Sequence, residues 1–155
     1  TVNSYKRTGA TATRSGASWA PRKATYGGND RTHYVRIPDD QRVELRGGDG
    51  SANPYLAIAA ALGAGLDGIK RSLDPGALGT CPGHVADLPL TLLHAVEALE
   101  SDAVITGTLD AATPEDWPAD APTVSSYFTG LKREEFFNWH ASVSAWEVDS
   151  YLTAF

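Results

Sequence analysis

The chain has 155 residues, 42% hydrophobic and 21% charged, with a formal net charge of -6, the make-up of one ordinary domain able to bury a core. No apolar run reaches the ~18 residues that a membrane span needs, and residues 1–14 lack the apolar stretch of a signal peptide. The single cysteine, Cys81, excludes an internal disulfide and fits a reducing compartment, so a cytoplasmic protein without a membrane partner is expected.

The chain contains no methionine, so it is expected to begin inside a longer protein or after processing. Its charge is unevenly placed. Residues 1–46 carry nine Lys/Arg against four Asp/Glu, and residues 47–155 carry four against fifteen. A basic front on an acidic chain suggests an anionic ligand. The cations are scattered singly and the pI is near 5.1, which argues against nucleic acid as that ligand.

Residues 1–18 are mostly Gly, Ala, Ser and Thr and read as a long loop. Three strand candidates follow, "RKATYG", "HYVRIP" and "RVELR", separated by "GNDRT" and "DDQ". An antiparallel meander is the economical reading. In the last of them Arg42, Glu44 and Arg46 alternate with Val43 and Leu45, so the charged residues share one face. That face is either an exposed edge or a carboxylate held between two guanidiniums where an anion binds.

After "GGDGSA", Asn53 is a good N-cap and Pro54 suits the first helical position. Leu56, Ala59, Leu62, Leu66, Ile69 and Leu73 then recur at helical spacing, and Gly63 and Gly65 imply close packing against another element. A Gly/Pro-rich loop at 74–88 leads to a second helix at about 90–100, with Leu92, Leu93, Val96 and Leu99 as its stripe. Residues 106–122, rich in acids and proline, read as an exposed connector. A last helix is expected over about 125–152, with a wide apolar face that includes Phe136, Trp139, Val143 and Trp146. Strands first and helices second make the expected class α+β.

The arginines stand out as a group. Arg31, Arg36, Arg42 and Arg46 fall in or beside predicted strands, and arginine is suited to bidentate capture of carboxylate and phosphate. Cys81 with His84 is too sparse a pair for a metal site. His33, His84, His94 and His140 are assigned ordinary polar or core roles.

"TVNSYKR", "GGNDRTHYVRIP", "RVELR", "DGSANPYLAIAAALGAGLDGIK" and "WEVDSYL", in that order, resemble the C-terminal part of a glutamine synthetase. The resemblance runs from the first residue to the last. "GASWAPRKATYGGNDRTH" and the ending "LKREEFFNWHASVSAWEVDSYL" are most similar to the divergent branch that includes γ-glutamylmethylamide synthetases.

The resemblance implies that residues 1–155 form the C-terminal portion of a catalytic domain of the glutamine synthetase/guanido kinase type. The upstream half of that domain and an N-terminal β-grasp domain would lie outside the sequence. It implies ATP-dependent amide formation from glutamate and ammonia or an amine through γ-glutamyl phosphate, with magnesium or manganese, in a large homo-oligomer. By similarity Arg7 and Arg46 would hold glutamate carboxylates, Arg31 would neutralise the phosphoryl group in transfer, Arg36 and Arg42 would face ATP phosphates, and Glu44 would be a metal ligand.

Two departures qualify the resemblance. The family's other metal ligands and its nucleotide-binding residues match nothing here, so the 155 residues alone are expected to be inactive. The family's flap glutamate, before an "AP" pair, is replaced by Trp19 before Ala20-Pro21, which makes Trp19 a candidate for the amine site. The competing reading is a non-catalytic relative that binds glutamate or nucleotide through the retained arginines.

Overall fold

A computed structural model describes residues 1–2, 4–5, 20–78, 85–152 and 154. Arg7, Trp19 and most of the expected front loop lie outside the described residues, as do Cys81 and His84.

Among the described residues a three-stranded sheet precedes five helices, so the class is α+β as expected. The strands are β1 (Tyr26–Gly27), β2 (Val35–Asp39) and β3 (Arg42–Leu45), in spatial order β1-β2-β3. β2 and β3 pair antiparallel, with Val35 opposite Leu45 and Arg36 opposite Glu44. The register slips between Arg36 and Asp39, where Pro38 has no N–H to give the ladder.

The expected meander is corrected at its first connection, because β1 runs parallel to β2, with Tyr26 beside Val35 and Gly27 beside Arg36. The loop between them curls instead of forming a hairpin. Asp30 N–H donates to the Gly28 carbonyl at 2.7 Å, and Asp30 Oδ1 accepts the Thr32 N–H at 2.8 Å. Val35 N–H then returns to the Thr25 carbonyl at 2.9 Å. The front of "RKATYG" pairs elsewhere: Lys23 bridges antiparallel to Asp87, with Leu88 N–H on the Arg22 carbonyl.

Helix α1 (Pro54–Lys70) starts where expected, and the Asn53 side chain accepts the N–H groups of Tyr55 and Leu56. It ends before Leu73, and Ser72 turns the chain with φ 51°. α2 (Leu92–Ser101) is capped by Thr91. Asp102 then ends α2 and at once caps α3 (Ala103–Asp110), its side chain accepting from Val104 and Ile105. The expected connector therefore begins later than the sequence suggested, and Leu109 within α3 is buried.

The expected last helix is two, α4 (Val124–Ala141) and α5 (Ala145–Tyr151). A capping box at Ser144 and Glu147 restarts the helix after a break at 142–144. The hydrophobic core among the described residues is Leu92, Val96 and Leu109, at the junction of α2, α3 and α4. α1 joins this group by packing on α3. Leu62, Leu66, Phe137 and Trp146 stand exposed. No helix among the described residues is long and apolar enough to cross a membrane.

Candidate anion-binding site

The site is built on the β2–β3 pair. Glu44 faces Arg36 in register, and its Oε2 accepts Arg36 Nη1 at 2.5 Å. Its other oxygen, Oε1, accepts Arg46 Nε at 3.1 Å. The chain holds Arg46 just past β3 through its N–H on the Tyr34 carbonyl at 2.9 Å. One carboxylate thus lies between two guanidiniums, an arrangement of net positive charge.

The two arginine side chains are only 15% and 10% exposed, whereas Glu44 is 45% exposed. The hydrogen bond from Arg36 is the largest influence on the Glu44 carboxyl. Desolvation, next in size, opposes it, but the charge of Arg36 and the hydrogen bond and charge of Arg46 add to it and hold the group below its ordinary range.

The expected face of Arg42, Glu44 and Arg46 is therefore recomposed. Glu44 and Arg46 are together, but the second guanidinium comes from Arg36 on the neighbouring strand. Arg42 pairs with Asp39, Nε to Oδ2 at 2.9 Å, at the far end of the register slip, and is 70% exposed. Strand alternation alone could not show this, because it lists residues on one strand and is silent about the one opposite.

Arg31 joins through its backbone: its carbonyl accepts a hydrogen bond from Arg46 Nη1. Asn29, which sequence reasoning read only as part of a turn, accepts Arg36 Nε on Oδ1 at 3.0 Å and Arg36 Nη2 on the same oxygen. The parallel pairing of Gly27 with Arg36 brings Asn29 there, and no pattern in the sequence signalled that pairing. His33 has the polar role expected of it, with Nδ1 3.0 Å from Thr25 Oγ1. His140 stacks on Phe136 at 5.8 Å, and His94 is exposed on α2.

Beside the array the loop after β3 is held by Asp49, whose Oδ1 accepts the Ser51 N–H at 2.8 Å and the Ser51 hydroxyl at 2.6 Å. Hydrogen bonds from the Ser4 and Ser51 side chains lower the Asp49 carboxyl to about 2. A Cβ at Gly47 would overlap the Tyr34 ring, so a larger residue there would force the ring to move. A mostly apolar cleft of about 830 Å³ continues from Tyr34, Arg46 and Asp49 between α1, α2 and α4.

Chemically the array suits oxyanions, since guanidiniums bind carboxylate and phosphate through paired N–H groups. Glu44 is a hard oxygen donor of the kind Mg²⁺ or Mn²⁺ takes. Both of its oxygens already hold arginine, and the described residues contain no group of three or more His, Cys, Asp or Glu that could hold a metal ion. The described residues therefore do not make a metal site by themselves.

The family described as "Glutamine synthetase, catalytic domain" matches residues 1–151. The chain is 39% identical to a glutamine synthetase of Rhizobium leguminosarum bv. phaseoli, over 98% of this chain and 34% of that protein. It is also 39% identical to a glutamate–methylamine ligase of Methyloversatilis universalis, over 100% of this chain and 35% of that protein. A solved structure titled "GmaS/ADP complex-Conformation 1" superposes with a TM-score of 0.79 and 45% identity, over 98% of this chain and 34% of the other. The chain thus spans about a third of the length of these relatives.

Proposed function

Because the chain belongs to the glutamine synthetase catalytic-domain family, we propose that the full-length protein carrying it is an ATP-dependent ligase that joins glutamate to ammonia or a small amine. Residues 1–155 are then the C-terminal portion of its catalytic domain. In the first step the glutamate γ-carboxylate attacks the γ-phosphorus of ATP, giving γ-glutamyl phosphate and ADP. In the second the amine nitrogen attacks the acyl carbon, phosphate leaves and the nitrogen loses a proton.

Such chemistry depends on positioning and charge stabilisation more than on covalent help from the protein. In this reading Arg46, with Arg7, holds glutamate carboxylates. Arg31 meets the phosphoryl group in transfer, and Arg36 and Arg42 face the nucleotide phosphates. Glu44 bridges Arg36 and Arg46 and would serve as one donor to a magnesium or manganese ion, with the other donors outside the described residues. Assembly into a large homo-oligomer belongs to the same proposal.

The observation that carries the reading is the Arg36–Glu44–Arg46 array with the Arg31 carbonyl on it. Incubating the full-length protein with glutamate, ATP and either ammonium or methylamine tests it. Formation of glutamine or γ-glutamylmethylamide with matching ADP is expected. ADP release without amide, or neither, overturns it. The 155 residues alone are expected to give no amide.

A further inference from the structure

We propose that Asn29 is a positioning residue for nucleotide binding, acting by fixing the plane of the Arg36 guanidinium. The inference rests on the reading of Arg36 as a nucleotide-phosphate residue and adds a residue to it.

The guanidinium of Arg36 is held on two sides. Nε and Nη2 both donate to Asn29 Oδ1, and Nη1 donates to Glu44 Oε2 at 2.5 Å. Of five N–H groups, Asn29 therefore takes two and Glu44 one. One N–H on each of Nη1 and Nη2 remains for an oxyanion.

Glu44 alone would leave the plane able to turn about the single Nη1 contact. Asn29 supplies the second point that stops it. Ordering a long side chain before the ligand arrives removes that entropic loss from binding.

The loop is built to keep Asn29 in place. Gly27 lies beside Arg36 in the parallel register, which fixes where the loop leaves the sheet. Asp30 then closes the turn by accepting the Thr32 N–H at 2.8 Å and the Thr32 hydroxyl at 2.9 Å. Asn29 is a neutral acceptor, so it orients Arg36 without cancelling the positive charge an anion needs. Glu44 already pairs with that charge, and a second carboxylate at residue 29 would oppose phosphate binding.

The experiment is a double-mutant cycle on the full-length protein, reading the Kd of ADP in the presence of magnesium by calorimetry. Asn29→Ala, which removes both hydrogen bonds on Asn29 Oδ1, is expected to raise that Kd about three- to ten-fold. The glutamate KM and the melting temperature should stay unchanged. In an Arg36→Gln background, Asn29→Ala should have no further effect on the ADP Kd, because its partner is gone.

If Arg36→Gln leaves the ADP Kd unchanged, the nucleotide reading of Arg36 fails and the proposal fails with it. If Arg36→Gln weakens ADP binding but Asn29→Ala does not, or does so equally in both backgrounds, Arg36 keeps its role and Asn29 loses the one proposed.

Discussion

Gly63 of α1 lies so close to Thr108 of α3 that a Cβ at residue 63 would overlap the threonine side chain. Thr108 cannot turn away without loss, because its hydroxyl donates to the Val104 carbonyl at 2.8 Å. Two residues along, Gly65 has nothing within 4 Å of the same added atom. The two glycines of one helix should therefore respond oppositely. Gly65→Ala should stabilise by ~0.5–1 kcal/mol through helix propensity. Gly63→Ala gains the same propensity but should lose ~1–3 kcal/mol to overpacking. Urea unfolding of both variants checks this, and equal stabilisation by both would show that α1 and α3 do not meet at this point.

Asp49 should contribute stability that disappears in acid. Its carboxyl is lowered from 3.8 to about 2, chiefly by the hydrogen bond from the Ser4 side chain and then by those of Ser51. A group with a depressed folded pKa stabilises above its unfolded value and loses that contribution as pH falls through the folded one. Asp49→Asn should lower the melting temperature at pH 7 by roughly 2 °C, a small effect because the group is open to solvent. The gap should narrow between about pH 4 and pH 2. A gap that stays constant over that range would assign the effect to packing.

What the sequence disclosed of the fold was local. Asn53-Pro54 announced α1 because a cap and a first-turn proline act within three residues of each other. The same kind of signal was present at Asp102 and at Ser144–Glu147, yet the first was passed over because the acids and prolines of 106–122 read as a connector, and the second because apolar spacing runs past it. Partnership between strands was less legible. Arg42 and Arg36 have equal claims by pattern, and the irregularity at Pro38 decides between them by shifting Arg42 onto Asp39. Asn29 was invisible as a site residue because its relation to Arg36 exists only through the parallel pairing of β1.

Arg46 should discriminate between glutamate and ATP in the proposed reaction. Its Nε is on Glu44 and its Nη1 on the Arg31 carbonyl, so the guanidinium is fixed by two different elements. Lysine keeps the charge but has no planar fork and cannot make both contacts in that geometry. Arg46→Lys in the full-length enzyme should raise the glutamate KM about ten-fold or more while the ATP KM changes by less than about two-fold. Equal rises in both constants would remove Arg46 from the glutamate carboxylate.

Identity does not decide the amine, since a glutamine synthetase and a glutamate–methylamine ligase are each 39% identical to the chain. Ammonia at neutral pH is mostly ammonium, so a carboxylate at the amine site both attracts the cation and takes its proton. By the resemblance to the family, whose carboxylate precedes an Ala-Pro pair, we assign Trp19, before Ala20-Pro21, to the amine site of the proposed enzyme. An indole carries no charge and offers a large apolar surface, which favours an alkylated nitrogen over a bare one. A methyl group buried against it contributes about 0.8 kcal/mol, close to a four-fold preference. The full-length enzyme should therefore show a higher kcat/KM for methylamine than for ammonia, and Trp19→Glu should shift the ratio toward ammonia. Competition between the two amines, read by mass spectrometry of the amide products, measures both. A wild-type preference for ammonia, or a ratio unmoved by Trp19→Glu, would place amine selection at another residue.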